Sequence, residues 1–524
     1  DIIGELEKTL PHYMLPDYVI RIEQIPLNKN GKVDFKRLPK HNSDGIRQHI
    51  ANKELPKNKL EEELVDIWKQ LLKIDDLGVT DNFFKLGGDS ILVIQLTNMI
   101  KKQGYDVSTK MIFKYQTIRD IVEHLKKNEG KSFGKETVRG KVNLNPIQTW
   151  FFDQNFKNKN YWNLPLMLNI DSGYTAEMIE KSLKAVIKHH DALHSRFTFE
   201  NGVYMHEYSD EINNVEFTFV NVDDLIAADK IIRDYCIEAQ KKIDITNGIM
   251  LSAVAFKDST NQKLFIAVHH LVSDGISLRV IADDIKNVLR DVSKGKEVEI
   301  EDKTLSFMEW NRSIESFSAS EKIMKQAEYW QNVNRSIDNS FINIDGLENK
   351  ESDCLTVSRE IDGDRIKKLL HDGIEKLGAA PNELFLTALY CTFNQNFGIE
   401  KVAVRLEGHG REDIINSEDV SRTVGWFTSA YPVILASNDS DDLVDNVLSI
   451  KDSIKRIPNK GIAYGILKYM RSDIKLEKEP VISFNYLGEF DDDIEIGEHR
   501  YGEFRDADAE RDIYIDFNLM FIKG

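Results

Sequence analysis

Apolar residues recur at a helical period in two stretches near the start of the chain. In residues 60–72 and again in residues 118–125 they fall three and four positions apart, as on one face of an α-helix. Thr117 precedes the second stretch as a favourable N-cap, and Asp120 lies in its first turn. The apolar positions are Leu60, Leu64, Ile67, Trp68, Leu71 and Leu72, then Ile118, Ile121, Val122 and Leu125. Together the two stretches predict a small helical bundle.

Beyond residue 145, helical and strand patterns alternate. The continuous apolar run 264–268 predicts a buried strand that leads into a loop, and residues 402–407 predict another strand. Between them, apolar residues at helical spacing follow Ser277 and predict a helix. These apolar residues are Leu278, Ile281, Ile285, Val288 and Leu289. The alternation predicts an α+β or α/β architecture for this larger region.

Two polar segments divide the chain. Residues 41–56 and 128–140 lack a sustained apolar period and are rich in Lys, Gly and Asn, which is typical of linkers. They predict three parts, at residues 1–40, 57–127 and 141–524, in agreement with the number of domains that 524 residues suggest.

Charge and cysteine content narrow the class of protein. The formal net charge of -18 argues against a protein that grips nucleic acid or an anionic membrane, so we expect a protein or small-molecule partner. The three cysteines are far apart and form neither a disulfide framework nor a CxxC metal site, which favours a reducing cytoplasm. No apolar run has membrane-spanning length. The chain begins at Asp1 without a leader pattern, so we expect a piece of a longer polypeptide.

The predicted bundle carries a candidate attachment site in "DNFFKLGGDSILVIQL", residues 81–96. Gly87 and Gly88 allow a sharp turn before Ser90, and a helix is predicted from Ile91 onward, so an attached phosphate would lie at a helix N-terminus. Taken alone, a serine in this position is more often a plain N-cap. The bundle resembles the peptidyl carrier domains of nonribosomal peptide synthetases, and "LGGDSI" resembles their attachment motif. This resemblance implies a four-helix carrier with 4'-phosphopantetheine on Ser90.

The first forty residues contain Asn30-Gly31, a hairpin signal, followed by Lys32. Val33 stands where a phosphate-binding loop needs Ser or Thr. The stretch "PLNKNGKVD" resembles the C-terminal end of adenylation domains, which implies a partial α+β subdomain in which Lys32 matches the lysine that meets the acyl-adenylate. The large nucleotide-binding core would lie upstream of Asp1, so we expect this chain alone to activate no amino acid.

The larger region contains "HHLVSDGIS", residues 269–277, directly after the predicted buried strand. Side chains alternate between the faces of a strand, so His269 and His270 cannot both face one site. Metal ligation and a Ser/His/Asp hydrolase are alternatives, but the sequence has no HExxH, cysteine cluster or GxSxG. We therefore predict no metal.

This segment resembles the HHxxxDG motif of the condensation superfamily. The resemblance implies a two-lobed, chloramphenicol-acetyltransferase-like α/β fold with a tunnel between the lobes. It places His270 at the site and His269 in packing. It also implies that Asp274 holds the loop through an ion pair and that Gly275 permits the turn. A second pair, His189 and His190, resembles an earlier motif that supports the fold.

The superfamily includes both amide-forming and epimerizing domains, which HHxxxDG does not separate. Three later segments resemble the epimerization subgroup, and the first of them is not typical of condensation domains. These segments are "EGHGRE" at 407–412, "RTVGWFTSAYPV" at 422–433 and "FNYLGEF" at 484–490.

Epimerization suits the residues of these segments. Inverting an α-carbon beside a thioester is most simply done by two acid/base groups on opposite sides. Glu407 ends a predicted buried strand, where desolvation raises a carboxyl pKa, and we expect His270 to titrate near neutrality. Asn485 and Tyr486 are candidate donors or positioning groups near the thioester. Without the resemblance, Glu407 is equally a strand-end carboxylate paired with Arg411 or another arginine.

The sequence thus predicts a slice of a nonribosomal peptide synthetase that converts a tethered L-aminoacyl or peptidyl residue to an L/D mixture. The partners this resemblance implies are an upstream adenylation core, a phosphopantetheinyl transferase and a downstream D-selective condensation domain. It also implies that the last domain continues beyond Gly524. The alternatives are an amide-forming condensation domain and a catalytically silent carrier scaffold.

Overall fold

The computed structural model describes residues 54–72, 74, 76–84, 86, 88, 90–127, 138–209, 215–301, 303–344, 346–412, 419–437, 442–489, 494–495 and 501–521. The predicted adenylation tail, including Lys32, lies outside these residues. No helix in the described part of the chain is long and apolar enough to cross a membrane.

Helices and strands alternate along the described chain. The helices are α1 (Lys59–Leu72), α2 (Ser90–Lys102), α3 (Thr109–Lys114), α4 (Ile118–His124), α5 (Pro146–Asp153), α6 (Ala176–His189), α7 (Asp229–Lys241), α8 (Gly275–Ser293), α9 (Phe307–Ser318), α10 (Glu321–Met324), α11 (Ala327–Arg335), α12 (Gly363–Leu377), α13 (Pro381–Phe397), α14 (Leu443–Lys455) and α15 (Ile462–Tyr469). The strands are β1 (Tyr105–Asp106), β2 (Lys126–Lys127), β3 (Gly140–Asn143), β4 (Asn163–Ile170), β5 (Ser195–Glu200), β6 (Val203–Tyr208), β7 (Glu216–Asn221), β8 (Leu251–Lys257), β9 (Gln262–His269), β10 (Lys401–Gly408), β11 (Ser429–Ala436), β12 (Ile482–Glu489), β13 (Ile494–Glu495) and β14 (Ile515–Phe521).

Helices α1 to α4 form the predicted bundle. Leu64, Ile67 and Trp68 of α1 are buried in its core, as the helical period predicts. Thr117 caps α4, since its hydroxyl accepts a hydrogen bond from the backbone N–H of Asp120 at 3.2 Å. The prediction of a four-helix bundle is confirmed.

The first lobe of the larger domain is built on a five-stranded sheet in the order β13-β4-β9-β8-β7. Strand β9 contains the apolar run 264–268, all of it buried, and pairs antiparallel with β4 and β8. Helix α8 begins directly after the β9 loop and packs against α6, so the predicted helix after Ser277 is confirmed.

The second lobe is built on a four-stranded sheet in the order β11-β10-β12-β14. Strand β10 contains the predicted strand 402–407 and pairs antiparallel with β11 and parallel with β12. Its alternate residues Val402, Val404 and Leu406 are buried in a second hydrophobic core, separate from the core of the first lobe. The prediction of a two-lobed α/β domain is confirmed.

The lobes share residues where they meet. Trp426 follows β10 in the sequence of the second lobe, yet its side chain is buried in the core of the first lobe. Helix α5, which precedes the first lobe's sheet, contacts α15 and β11 of the second lobe. The ends of β9 and β10, where the candidate residues lie, are therefore held near this junction.

Candidate active site

Two histidines at the end of β9 have different surroundings. His269 is fully buried; its Nε2 donates to the carbonyl of Lys159 at 2.8 Å, and its Nδ1 accepts from the N–H of Leu271 at 3.1 Å. Burial lowers its pKa to about 3, so the ring is a neutral packing group. The prediction that His269 is packed is confirmed.

His270 has one ring nitrogen engaged. Its Nδ1 lies 2.8 Å from the carbonyl oxygen of Ser273, which can only accept, so Nδ1 carries the proton. Within the described part of the chain nothing hydrogen-bonds to Nε2, which retains its lone pair. Burial lowers the pKa of His270 to about 4. The expectation that it titrates near neutrality is therefore wrong, because the protein disfavours the charged ring.

Asp274, in the loop between β9 and α8, accepts hydrogen bonds from several segments. Its carboxylate caps α8 by accepting from the N–H of Ser277 at 2.7 Å, and it also accepts from the N–H of Phe427 at 3.2 Å. Arg411 donates from Nη2 to both oxygens, at 3.0 and 3.2 Å. The predicted ion pair of Asp274 is thus present, and it joins the β9 loop to the segment after β10.

The glycines of the two segments have different roles. The prediction that Gly275 permits the turn is wrong, because Gly275 is the first residue of α8, has no positive φ, and a Cβ there would meet no atom within 4 Å. Gly410 does need to be glycine: its φ is +68°, and a Cβ would lie 1.6 Å from the carbonyl oxygen of Phe427. The segment after β10, rather than the loop after β9, therefore requires the glycine backbone.

Glu407 lies near the end of β10, beside Asn485 of the parallel strand β12. The Asn485 side-chain N–H donates to Glu407 Oε2 at 3.0 Å. The Glu407 side chain is exposed at the surface, but the protein around its carboxyl group partly desolvates it and so raises its pKa above the ordinary value. The nearby charge of Arg405 opposes that rise, although Arg405 itself forms a bidentate ion pair with Asp512.

Arg411 and Tyr486 lie apart from Glu407. Arg411 pairs with Asp274, so the alternative in which Glu407 pairs with Arg411 does not hold. Tyr486 follows Asn485 on β12 and points to the other face, where its ring packs 5.6 Å from Phe385 in the core of the second lobe. The structure therefore brings Asn485 to Glu407 but not Tyr486, and strand alternation alone was a sufficient signal for this.

Aromatic rings and a further arginine surround His270. The ring of Trp426 lies 4.2 Å from that of His270, and Trp150 lies 6.2 Å from Trp426 and 6.0 Å from Trp162. Arg505 lies over the Trp162 ring at 4.3 Å. Sequence reasoning missed these residues, although Trp426 lies within one of the segments that it singled out.

The carrier bundle presents Ser90 as the first residue of α2. Gly88 lies against Phe83, where a Cβ would come 2.2 Å from the ring, so the glycine is required by close packing. The bundle contacts the larger domain: Lys101 pairs with Asp419, and Lys460 Nζ lies 4.6 Å from the ring centroid of Phe113. The carrier is therefore docked on the second lobe and the segment before β11.

His189 and His190 do not form a second site. The Nε2 of His190 lies 2.9 Å from a carboxylate oxygen of Asp284, and both residues are buried. The contact between His190 and Asp284 therefore links the end of α6 to α8, in keeping with the structural role predicted for the two histidines. In the part of the chain described, no group of three or more His, Cys, Asp or Glu side chains is arranged to hold a metal ion.

Comparisons with known proteins match both the carrier bundle and the larger domain to known families. Residues 62–125 match the family model of the phosphopantetheine attachment site, and residues 138–518 match that of the condensation domain. Surfactin synthase subunit 2 of Bacillus subtilis (strain 168) is 36% identical over 504 residues, which are 93% of this chain and 14% of that protein. Gramicidin S synthase 1 of Brevibacillus brevis is 36% identical over 496 residues, which are 93% of this chain and 45% of that protein. The chain thus spans less than half of the length of these relatives.

Solved structures show the same fold for the larger domain. The epimerization domain from the third module of tyrocidine synthetase B matches with a TM-score of 0.69 and 28% identity, covering 74% of this chain and 90% of that one. The first condensation domain of the calcium-dependent antibiotic synthetase matches with a TM-score of 0.55 and 16% identity, covering 67% and 80%. The chain therefore belongs to the nonribosomal peptide synthetases and carries a phosphopantetheine-binding domain followed by a domain of the condensation superfamily.

Proposed function

We propose that the larger domain epimerizes the α-carbon of an aminoacyl or peptidyl residue that the carrier holds as a thioester. The observation that carries this proposal is the carboxyl group of Glu407, which has a raised pKa and is oriented by Asn485 near the junction of the lobes. An amide-forming reaction at His270 would give this carboxyl group no proton to move.

The protein's residues are suited to proton transfer. The phosphopantetheine arm on Ser90 supplies a thioester, whose carbonyl acidifies the neighbouring α C–H. His270 presents the lone pair of Nε2, because Nδ1 is occupied at the Ser273 carbonyl. Glu407 presents a carboxyl group whose pKa is raised by desolvation in the surrounding protein, which favours the protonated form that can donate. One group removes the proton from one face of the α-carbon and the other returns a proton to the opposite face, and the reverse reaction exchanges their roles.

This chemistry approaches an equilibrium. The two epimers are nearly equal in free energy, so the protein produces an L/D mixture, and we propose that a downstream D-selective condensation domain makes the selection. We further propose that an adenylation core precedes residues 1–40 in the full polypeptide, that Lys32 belongs to it, and that a phosphopantetheinyl transferase modifies Ser90.

Isotope exchange tests the proposal. The carrier is loaded at Ser90 with an L-aminoacyl-phosphopantetheine and incubated in deuterium oxide, after which the thioester is hydrolysed. We expect α-deuterium together with D-residue in the parent protein. Formation of D-residue should be lost in Glu407→Gln and in His270→Ala, because inversion needs both proton-transfer groups, whereas the remaining group can still exchange the α-proton on its own face.

Controls separate the alternatives. Glu510→Gln neutralises another exposed carboxylate of the same domain and is expected to leave exchange and D-residue formation unchanged. D-residue that forms at the parent rate in Glu407→Gln would remove Glu407 from the mechanism. No exchange in the parent protein, with amide formation when an acceptor amine is supplied, would favour condensation instead. A carrier that loads but supports neither reaction would favour the scaffold.

A further inference from the structure

Arg505 and His270 flank the same short piece of backbone. The N–H of His270 donates to the carbonyl of Trp162 at 2.9 Å, and Arg505 forms an antiparallel bridge with Trp162. The neighbouring N–H of Asn163 donates to the carbonyl of Phe504 at 2.9 Å. Arg505 is therefore fixed one strand away from His270, although 235 residues separate them in sequence.

The guanidinium group is held in place while part of it stays available. It lies 4.3 Å from the ring centroid of Trp162, and its Nη1 donates to Glu351 Oε1 at 3.1 Å. The side chain is 36% exposed. In the described part of the chain only Nη1 has a hydrogen-bonding partner, so Nε and Nη2 can donate to a ligand.

The partner of Arg505 neutralises it incompletely. Glu351 also pairs with Arg511, so two guanidinium groups share one carboxylate. Arg405, by contrast, forms a bidentate pair with Asp512, and no second arginine or lysine of the described residues pairs with that carboxylate. An excess positive charge therefore remains beside Arg505, whose guanidinium is shielded from water on one side by the Trp162 ring.

The charge of Arg505 reaches both proton-transfer groups. Burial lowers the pKa of His270 to about 4. The positive charge of Arg505 also lowers this pKa, whereas the negative charge of Asp274 raises it. Burial raises the pKa of Glu407, and Asp516 and Asp512 raise it too, while Arg405 and Arg505 lower it. A single cation therefore acts on both of the groups proposed to transfer the proton.

We propose, resting on the epimerase function above, that Arg505 is a further catalytic residue whose guanidinium binds the thioester oxygen of the substrate. When the α C–H bond breaks, the proton passes to the base, and the electron pair forms the carbon–carbon double bond of an enolate. The carbonyl π-electrons move onto oxygen, beside the guanidinium. Reprotonation at carbon reverses this shift. Stabilising charge that develops only in this step lowers its barrier without tightening substrate binding.

Two substitutions of Arg505 and one matched control test the proposal. Arg505→Gln removes the charge, Arg505→Lys keeps it without the planar fork, and Arg511→Gln removes the other guanidinium group from Glu351. Turnover, KM and the pH profile of α-deuterium exchange are measured for each. We expect Arg505→Gln to lower kcat by about 100-fold with little change in KM. Its pH profile should move to higher pH, because the pKa values of His270 and Glu407 both rise when the cation is lost.

The controls define what would overturn the proposal. Arg505→Lys should retain the parent pH profile and recover part of kcat, and Arg511→Gln should remain near the parent in both. Equal kcat in Arg505→Gln and Arg511→Gln would refute a catalytic role, as would a change in KM alone. If Arg505→Gln does not fold, Arg505→Lys decides: a kcat below one hundredth of the parent with an unchanged pH profile would refute the role of charge. Absence of exchange in the parent protein would refute the epimerase function itself.

Discussion

Replacing Asp274 by alanine removes the acceptor at which two distant segments meet. The carboxylate accepts from the backbone and hydroxyl of Ser277, from Arg411 and from the N–H of Phe427. The side chains of Arg411 and Asp274 are only 1% and 7% exposed. Asp274→Ala therefore leaves the buried guanidinium group of Arg411 without a carboxylate partner, and it leaves α8 without its N-cap.

The structure sets the size of the effect. Removing one partner of a buried ion pair costs about 3–5 kcal/mol, and losing an N-cap costs about 1 kcal/mol. Because one carboxylate supplies both contacts, the losses overlap, and we expect Asp274→Ala to lower the free energy of unfolding by about 4 kcal/mol. Asparagine keeps a good cap but not the charge, so Asp274→Asn should lose roughly 3 kcal/mol. Adding Arg411→Met to Asp274→Ala removes the stranded charge, so the double variant should be less destabilised than the sum of the single variants.

Urea unfolding followed by tryptophan fluorescence measures these changes. Trp68 is the one tryptophan of the carrier bundle, and the other five of the six lie beyond residue 141, so the signal reports mainly on the larger domain. We also expect α-deuterium exchange by folded Asp274→Ala to fall about 100-fold, since the loop that positions His270 is released. An unfolding free energy within about 0.5 kcal/mol of the parent would refute the reasoning.

Three further predictions concern other parts of the molecule. Gly88→Ala should destabilise the carrier bundle by roughly 1–3 kcal/mol and slow phosphopantetheine loading, measured by mass spectrometry, because a Cβ would lie 2.2 Å from the Phe83 ring; loading at the parent rate would contradict this. Asp419→Lys should slow α-deuterium exchange by up to about fivefold, because it breaks the ion pair between the carrier and the larger domain. Adding Lys101→Asp to the same chain exchanges the two charges and should restore the rate. Equal rates in the single and double variants would show that the pair does not support docking. In the pH profile of α-deuterium exchange, the loss of rate at low pH that reports protonation of His270 should lie at about pH 4. Burial lowers the pKa of this ring from 6.5 to about 4, so the ring gains its proton only below about pH 4. A loss of rate centred near pH 6.5 would contradict the assignment.

Local patterns were sufficient for much of the fold. The 3.6-residue period located α1, α4 and α8, and Thr117 marked the start of α4 correctly. Strand alternation separated His269 from His270, and the same rule applied to "FNYLGEF" would have separated Asn485 from Tyr486. These features depend on residues a few positions apart, so the sequence by itself determined them.

The tertiary structure decided which charges meet. Asp274 and Arg411 are 137 residues apart, and Glu407 and Asn485 are 78 apart, so no local spacing indicates either contact. Arg505 lies in a segment without a regular period, and only its pairing with Trp162 brings it beside His270. The lowered pKa of His270 likewise arises from burial, which depends on every segment packed around the ring. Secondary structure and motifs are local properties of the chain, whereas ion pairs and desolvation exist only once distant segments have packed together.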